Sequence, residues 1–222
     1  MALTKYNFNS FDVTPVASRG LAFDADADGF TTATPGAMTL IKTNTLSSAA
    51  TSISFVNGTS DVVLDGTYNT YLFKFINIHP ENDDVFFEFN GSDDASSHSY
   101  DITKTTTLFA AEHNEGDSVA QLAYSAGDDL AQATGYQRLF NGVGNDNDGS
   151  CVGELFLFSP ADTTFVKHFI ARISGHRHSS AAHDSYVAGY FNTTAAITAL
   201  DFKMSGGDID AGTIKLYGLN KS

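Results

Sequence analysis

The chain of 222 residues carries 12 Lys and Arg against 26 Asp and Glu, a formal charge of −14, with 17% charged and 42% apolar residues. That balance excludes a nucleic-acid groove, which needs clustered cations to displace counterions, and the chain is too apolar for a disordered acidic tail. Asp outnumbers Glu 21 to 5. Asp favours turns where Glu favours helices, so the acidity marks loops between strands.

Residues 1–36 read as an extended N-terminal arm. Phe8, Phe11, Phe23 and Phe30 are scattered without a period among Asp, Gly, Ser, Thr, Pro15 and Pro35. Aromatics on an irregular segment suit docking on a surface, either that of the same domain or that of a neighbouring subunit. Within the arm, Asp24, Asp26 and Asp28 precede Gly29 with the spacing of a calcium loop, in which alternate carboxylates converge. Pro35 stands where an EF-hand needs its bidentate Glu, so the alternative is a solvated acidic turn. The start has no basic segment leading into an apolar one, and no cleavable leader is expected. No apolar run reaches the length of a membrane span.

Residues 37–222 read as one β domain. Period-two alternation predicts strands at 38–45, 51–56 and 68–78, the last stopped by His79-Pro80 and pairing with 84–90 as a hairpin. A Thr-rich strand follows at 99–111. Residues 118–139 read as a short helix or an irregular edge, and 141–149, rich in Gly, Asn and Asp, as a loop. Segments 153–158 and 164–174 form another predicted hairpin, and 184–192, 197–205 and 212–219 complete about ten strands. Leu200, Phe202 and Met204, and Ile214 and Leu216, mark inward faces. The expected fold is all-β, an antiparallel two-sheet β-sandwich of jelly-roll type.

Candidate chemistry is sparse. Cys151 is alone, so no intrachain disulfide forms, and it reads as a small buried hydrophobe, with an intermolecular bridge or a nucleophile as alternatives. His176 and His178, two apart, would share a face on extended backbone, and around a threefold axis three such pairs would make a metal site; exposed loop histidines are the alternative. Glu88 and Glu154 on predicted strands form a carboxylate pair open to a glycosidase reading, against which stands simple solvent exposure. No G-x-S-x-G elbow, H-E-x-x-H or P-loop occurs. The chain is expected not to be an enzyme and to need no cofactor, calcium being the one candidate. Of the 18 Phe, those at 73, 75, 86, 87, 89, 156 and 158 are assigned to a core or a subunit interface; Trp, a favoured sugar platform, is missing.

Three stretches carry a resemblance: Tyr100-Asp-Ile-Thr-Lys-Thr-Thr-Thr107; Gly142-Val-Gly-Asn-Asp-Asn-Asp148 with Thr164-Phe-Val-Lys-His-Phe-Ile170; and Gly189-Tyr-Phe-Asn-Thr-Thr194 with the closing block Phe202-Lys-Met-Ser-Gly-Gly-Asp-Ile-Asp-Ala-Gly-Thr-Ile-Lys-Leu-Tyr-Gly218. Over residues 38–219 they resemble a family of virion structural proteins of marine bacteriophages, cyanophages included. The resemblance implies a virion location after synthesis in the host cytoplasm, and no ligand residues. The expected role is a capsid decoration or cement protein, a homotrimer binding the major capsid protein and touching neither nucleic acid nor membrane. The alternative is a tail-fibre or tail-tip module that binds a host glycan through loops 141–149 and 175–184.

Overall fold

Alternating large apolar and polar side chains, broken by Asn, Asp and Gly clusters, leave extended pleated backbone as the one regular conformation that buries each apolar set on a single face. The computed structural model describes residues 20–23, 30–32 and 36–220, and every regular element among them is a strand. In the N-terminal segment, β1 (Leu21–Phe23) and β2 (Phe30–Thr32) pair as a separate two-stranded ribbon, with the Phe23 and Phe30 rings stacked at 5.1 Å. The larger sheet contains β3 (Met38–Thr45), β4 (Ser52–Val56), β5 (Thr70–Pro80), β6 (Val85–Ser92), β7 (Lys104–Asn114) and β8 (Ala120–Tyr124). It continues with β9 (Gln137–Val143), β10 (Cys151–Phe158), β11 (Lys167–Arg177), β12 (Ala181–Phe191), β13 (Ala199–Met204) and β14 (Ile209–Leu219).

All pairings are antiparallel. One run of neighbours is β3-β14-β5-β10-β11-β12-β7-β8; a second is β9-β6-β13-β4. Among the described residues the two runs share one strand pair, Arg177 with Val143, where β11 meets β9. Gly142 makes that corner, with φ 75°, and an added Cβ would lie 3.0 Å from Arg177 Nε and from His178 Cδ2. The sheet as a whole is nearly closed into a barrel. The remaining gap narrows where Ala50 bridges Ile209.

The core lies between the runs. Phe73 and Phe75 of β5 and Phe169 of β11 meet Phe55, Phe87, Phe89 and Phe202 of β4, β6 and β13, with contacts across the gap at centroid distances of 5.0–5.2 Å. Leu200, Met204, Ile214 and Leu216 are buried as the alternation predicts. Phe86, Phe156 and Phe158 are not core: each points to the outer face of its strand and is partly exposed.

Several expectations are corrected. Strands β5 and β6 do not form a hairpin; β5 pairs with β14 and β10, and β6 with β13 and β9. Asn77 and Asp84 both take positive φ, and residues 81–84 carry the chain from one run to the other instead of folding it back. Of the two readings of 118–139, the helix does not form and the edge does, as edge strand β8, with the start of β9 closing the segment. The expected loop at 141–149 begins as the last three residues of β9. Residues 175–182 are not an open loop but the ends of an eleven-pair β11–β12 hairpin around a short turn. The predicted β10–β11 hairpin forms in register from Cys151 with Gly175 to Leu157 with Phe169.

Candidate functional site

Register on the longer run aligns outward side chains into lateral rows. Reading across partners, Lys215 faces Lys74, Lys74 faces Glu154, Glu154 faces Arg172, Arg172 faces Tyr186, Tyr186 faces Phe109 and Phe109 faces Tyr124. One row thus crosses seven strands, charged at the β14 end and aromatic at the β8 end. The adjacent row runs Leu72, Phe156, Ile170, Ala188, Thr107. Between them lies a shallow groove of about 330 Å³ whose walls are mostly carbon.

The row is held by specific contacts. The Phe109 and Tyr186 rings stack at 4.8 Å with planes 3° apart. Arg172 lies over the Tyr186 ring at 5.0 Å and donates to both oxygens of Asp184, at 2.7–3.2 Å. Lys74 pairs with Glu154 at 3.3 Å. Such exposed ion pairs add little stability; their effect is to hold side chains in one orientation. Phe109 and Ile170 remain 42% and 47% exposed. A contiguous apolar strip rimmed by fixed charges is the surface signature of a binding face. The outer face of the shorter run differs, since Arg138 covers Phe86 at 3.8 Å and Lys203 covers the Tyr136 ring at 4.2 Å.

A second cluster is polar and only partly enclosed. Beneath the β7–β8 hairpin a cavity of about 190 Å³ is lined by Glu112, Asp128, Asn141, Arg177 and His183. Arg177 donates to Glu112 at 2.9 Å. Asp128 accepts from Arg138 at 2.5 Å, Ser125 at 2.6 Å and Asn141 at 2.9 Å. Burial works to raise the Asp128 carboxyl, but these donors outweigh it and hold the group below the usual carboxylate range. His183 is 7% exposed, and neither ring nitrogen has a hydrogen-bond partner among the described residues. Burial, reinforced by Arg177, keeps its proton affinity below that of a free imidazole.

The sign of that shift gives a prediction. An unfolded His183 takes up a proton near pH 6.5 while the folded one resists, so below about pH 6.5 the unfolded state binds more protons and stability falls. The melting temperature is expected to drop from pH 7 to pH 5, and His183→Gln is expected to flatten that drop. A melting curve with equal pH dependence in both proteins contradicts the assignment.

The other expected site residues are dispersed. Phe8, Phe11, Asp24, Asp26 and Asp28 lie outside the described residues. His176, near the end of β11, has Nε2 4.0 Å from Glu115, and His178 in the following turn lies 3.0 Å from Asp84, so the two rings face different elements. Among the described residues no three His, Cys, Asp or Glu side chains form a metal-binding group. Glu88 pairs with Lys203 on the outer face of the shorter run, and Glu154 with Lys74 on that of the longer. With the core between them, they do not converge on one substrate. Cys151 is fully buried, and burial pushes its thiol far above the ordinary range, which makes it a packing residue.

The outer-face row is not visible in the sequence because its members come from seven strands and meet only through register. The alternation signal for Tyr186 and Ile170 was present, but it reads equally as ordinary solvent exposure. No family model, curated protein or solved structure matches the chain.

Proposed function

We propose that this chain is a non-enzymatic structural protein of a bacteriophage particle, a capsid decoration protein that attaches to the major capsid lattice as a homotrimer. Its two runs of strands are read as the facing layers of a jelly-roll-like sandwich, since their inward aromatics share one core and, among the described residues, the runs join only at the Arg177–Val143 pair and the Ala50–Ile209 bridge. The observation that carries the reading is the outward row from Glu154 to Tyr124 with the apolar row and groove beside it, a partly apolar, charge-rimmed surface suited to another protein. The resemblance of the stretches at 100–107, 142–148 with 164–170, and 189–218 supports the virion setting. Residues 1–36, with Phe8, Phe11, Phe23 and Phe30, supply a second attachment as an arm.

One observation favours a tail-borne, glycan-binding role instead. The Tyr186–Phe109 stack lies beside Arg172 and Asp184, which pairs an aromatic plane with hydrogen-bonding groups for sugar hydroxyls. Quantitative mass spectrometry of purified particles separates the readings. Hundreds of copies per particle are expected for the decoration role. A few dozen or fewer would move the protein to the tail, and its absence from particles would overturn both.

A further inference from the structure

Strand β8 is the outer edge of the longer run, and its free side is open to pairing. Asn114 donates to the Val119 carbonyl and Ser125 to that of Leu108, so the odd-numbered residues of β8 bond to β7. Ala120, Leu122 and Tyr124 therefore aim their N–H and C=O groups away from β7, and no strand lies beyond them among the described residues. Natural edges are commonly guarded by lysine, proline or a bulge. This one has none of them. Its register with β7 is unbroken, and Leu122 and Tyr124 are 70% and 55% exposed.

Both side chains fall on the outer face, because Tyr124 ends the row of Tyr186 and Phe109 and Leu122 lies two residues before it. A strand added here prolongs that aromatic row. The ends of β8 are acidic, with Glu115 and Asp117 exposed in the turn before it and Asp129 in the segment after it. A second β8, antiparallel and centred on Leu122, would set Glu115 opposite Asp129 at both ends, so the edge disfavours its own copy. Residues 1–19 have the complementary pattern. They carry Lys5 and Arg19 against the single Asp12, the opposite sign to the chain's −14. Tyr6 and Phe8 alternate with Lys5, Asn7 and Asn9, the period of a strand with one aromatic face. Laid antiparallel, the more stable pairing, with Phe8 opposite Leu122, this segment sets Tyr6 opposite Tyr124 and Lys5 at the Asp129 end. Fully extended, the stretch from Phe8 to Leu21 reaches roughly 45 Å, enough to cross to an adjacent subunit.

We propose that residues 4–9 of one copy add as a strand to β8 of the next, so that three copies close into a ring. This rests on the homotrimer in the reading above and gives the first residues of the arm the task of joining copies. The test uses full chains in solution. Light scattering after size-exclusion chromatography is expected to give a trimer for the wild type and a monomer for Leu122→Pro. Proline at that position removes an outward N–H and obstructs an incoming strand, and it leaves the hydrogen bonds to β7 in place. Leu122→Lys, which restores an edge guard, is expected to give the same loss and keeps the test decisive if the proline variant does not fold. Phe8→Cys and Leu122→Cys chains, co-expressed and mildly oxidised, are expected to form an interchain disulfide; the native Cys151 is fully buried. A trimer retained by the folded Leu122 variants would overturn the strand addition and leave the homotrimer standing. Absence of the disulfide would overturn the exchange between copies. A monomeric wild type would overturn the homotrimer as well, whereas the particle location stands or falls on its copy count.

Discussion

Replacement of Phe202 by Ala is expected to lower stability by about 3–5 kcal/mol, the range found for truncating a large aromatic in a packed core. Phe202 is fully buried on β13, and its ring lies 5.2–6.2 Å from those of Phe55, Phe73, Phe75, Phe87 and Phe89. Two of those neighbours belong to the longer run and three to the shorter. Truncation therefore opens a void between the runs as well as removing buried apolar surface. Edge-to-face contacts such as that with Phe75 add roughly 0.5–1.5 kcal/mol each beyond area burial. Because domains are stable by only about 5–15 kcal/mol, the change removes a large share of the total. Urea unfolding should show a lower midpoint with an unchanged slope. Phe86→Ala, on the outer face beneath Arg138, should cost far less. Equal effects at the two positions would contradict the placement of the core.

Gly153→Ala is expected to be the most damaging single-methyl change in the longer run. In a strand interior, replacing Gly by Ala ordinarily helps, by restricting the unfolded chain and adding packing. Here the added Cβ would lie 2.3 Å from the Arg172 carbonyl oxygen and 2.8 Å from Ile173 Cα, both backbone atoms that cannot swing aside. The clash falls beside the bulge between Cys151 and Gly153, and relief requires β10 and β11 to separate. A loss of about 3 kcal/mol, the upper end for overpacking, is expected from thermal melts. Gly127→Ala, whose new methyl meets nothing within 4 Å, should be nearly neutral. A Gly153→Ala protein that melts with the wild type would show that the β10–β11 pairing is wrong.

Local signals in the sequence reached as far as individual strands. Strand β3 lies at the residues predicted from alternation, and the 153–158 and 164–174 segments pair as expected because Ser159 and Pro160 leave the chain one short reversal. Strand order lies beyond such signals. Nothing in 79–84 distinguishes a tight hairpin from a crossing between runs, since Pro, Asn and Asp suit both. Strand β8 reads only as a helix or an irregular edge because Ala120–Tyr124 is exposed on every residue and so carries no period-two burial pattern. The polar cavity was still less legible. His183 belongs to no motif, and the residues that line the cavity with it, at 112, 128, 141 and 177, come from separate strands and a loop.

The account rests on the outer face of the longer run being the attachment surface. Its direct test is the binding of purified chain to particles from which the protein has been removed, comparing wild type with Ile170→Asp. Ile170 is half-exposed in the apolar row, so the substitution should leave the melting temperature nearly unchanged. Placing a charge at the centre of the interface should weaken binding by roughly thirtyfold or more. Wild-type occupancy by a folded Ile170→Asp protein would contradict the account.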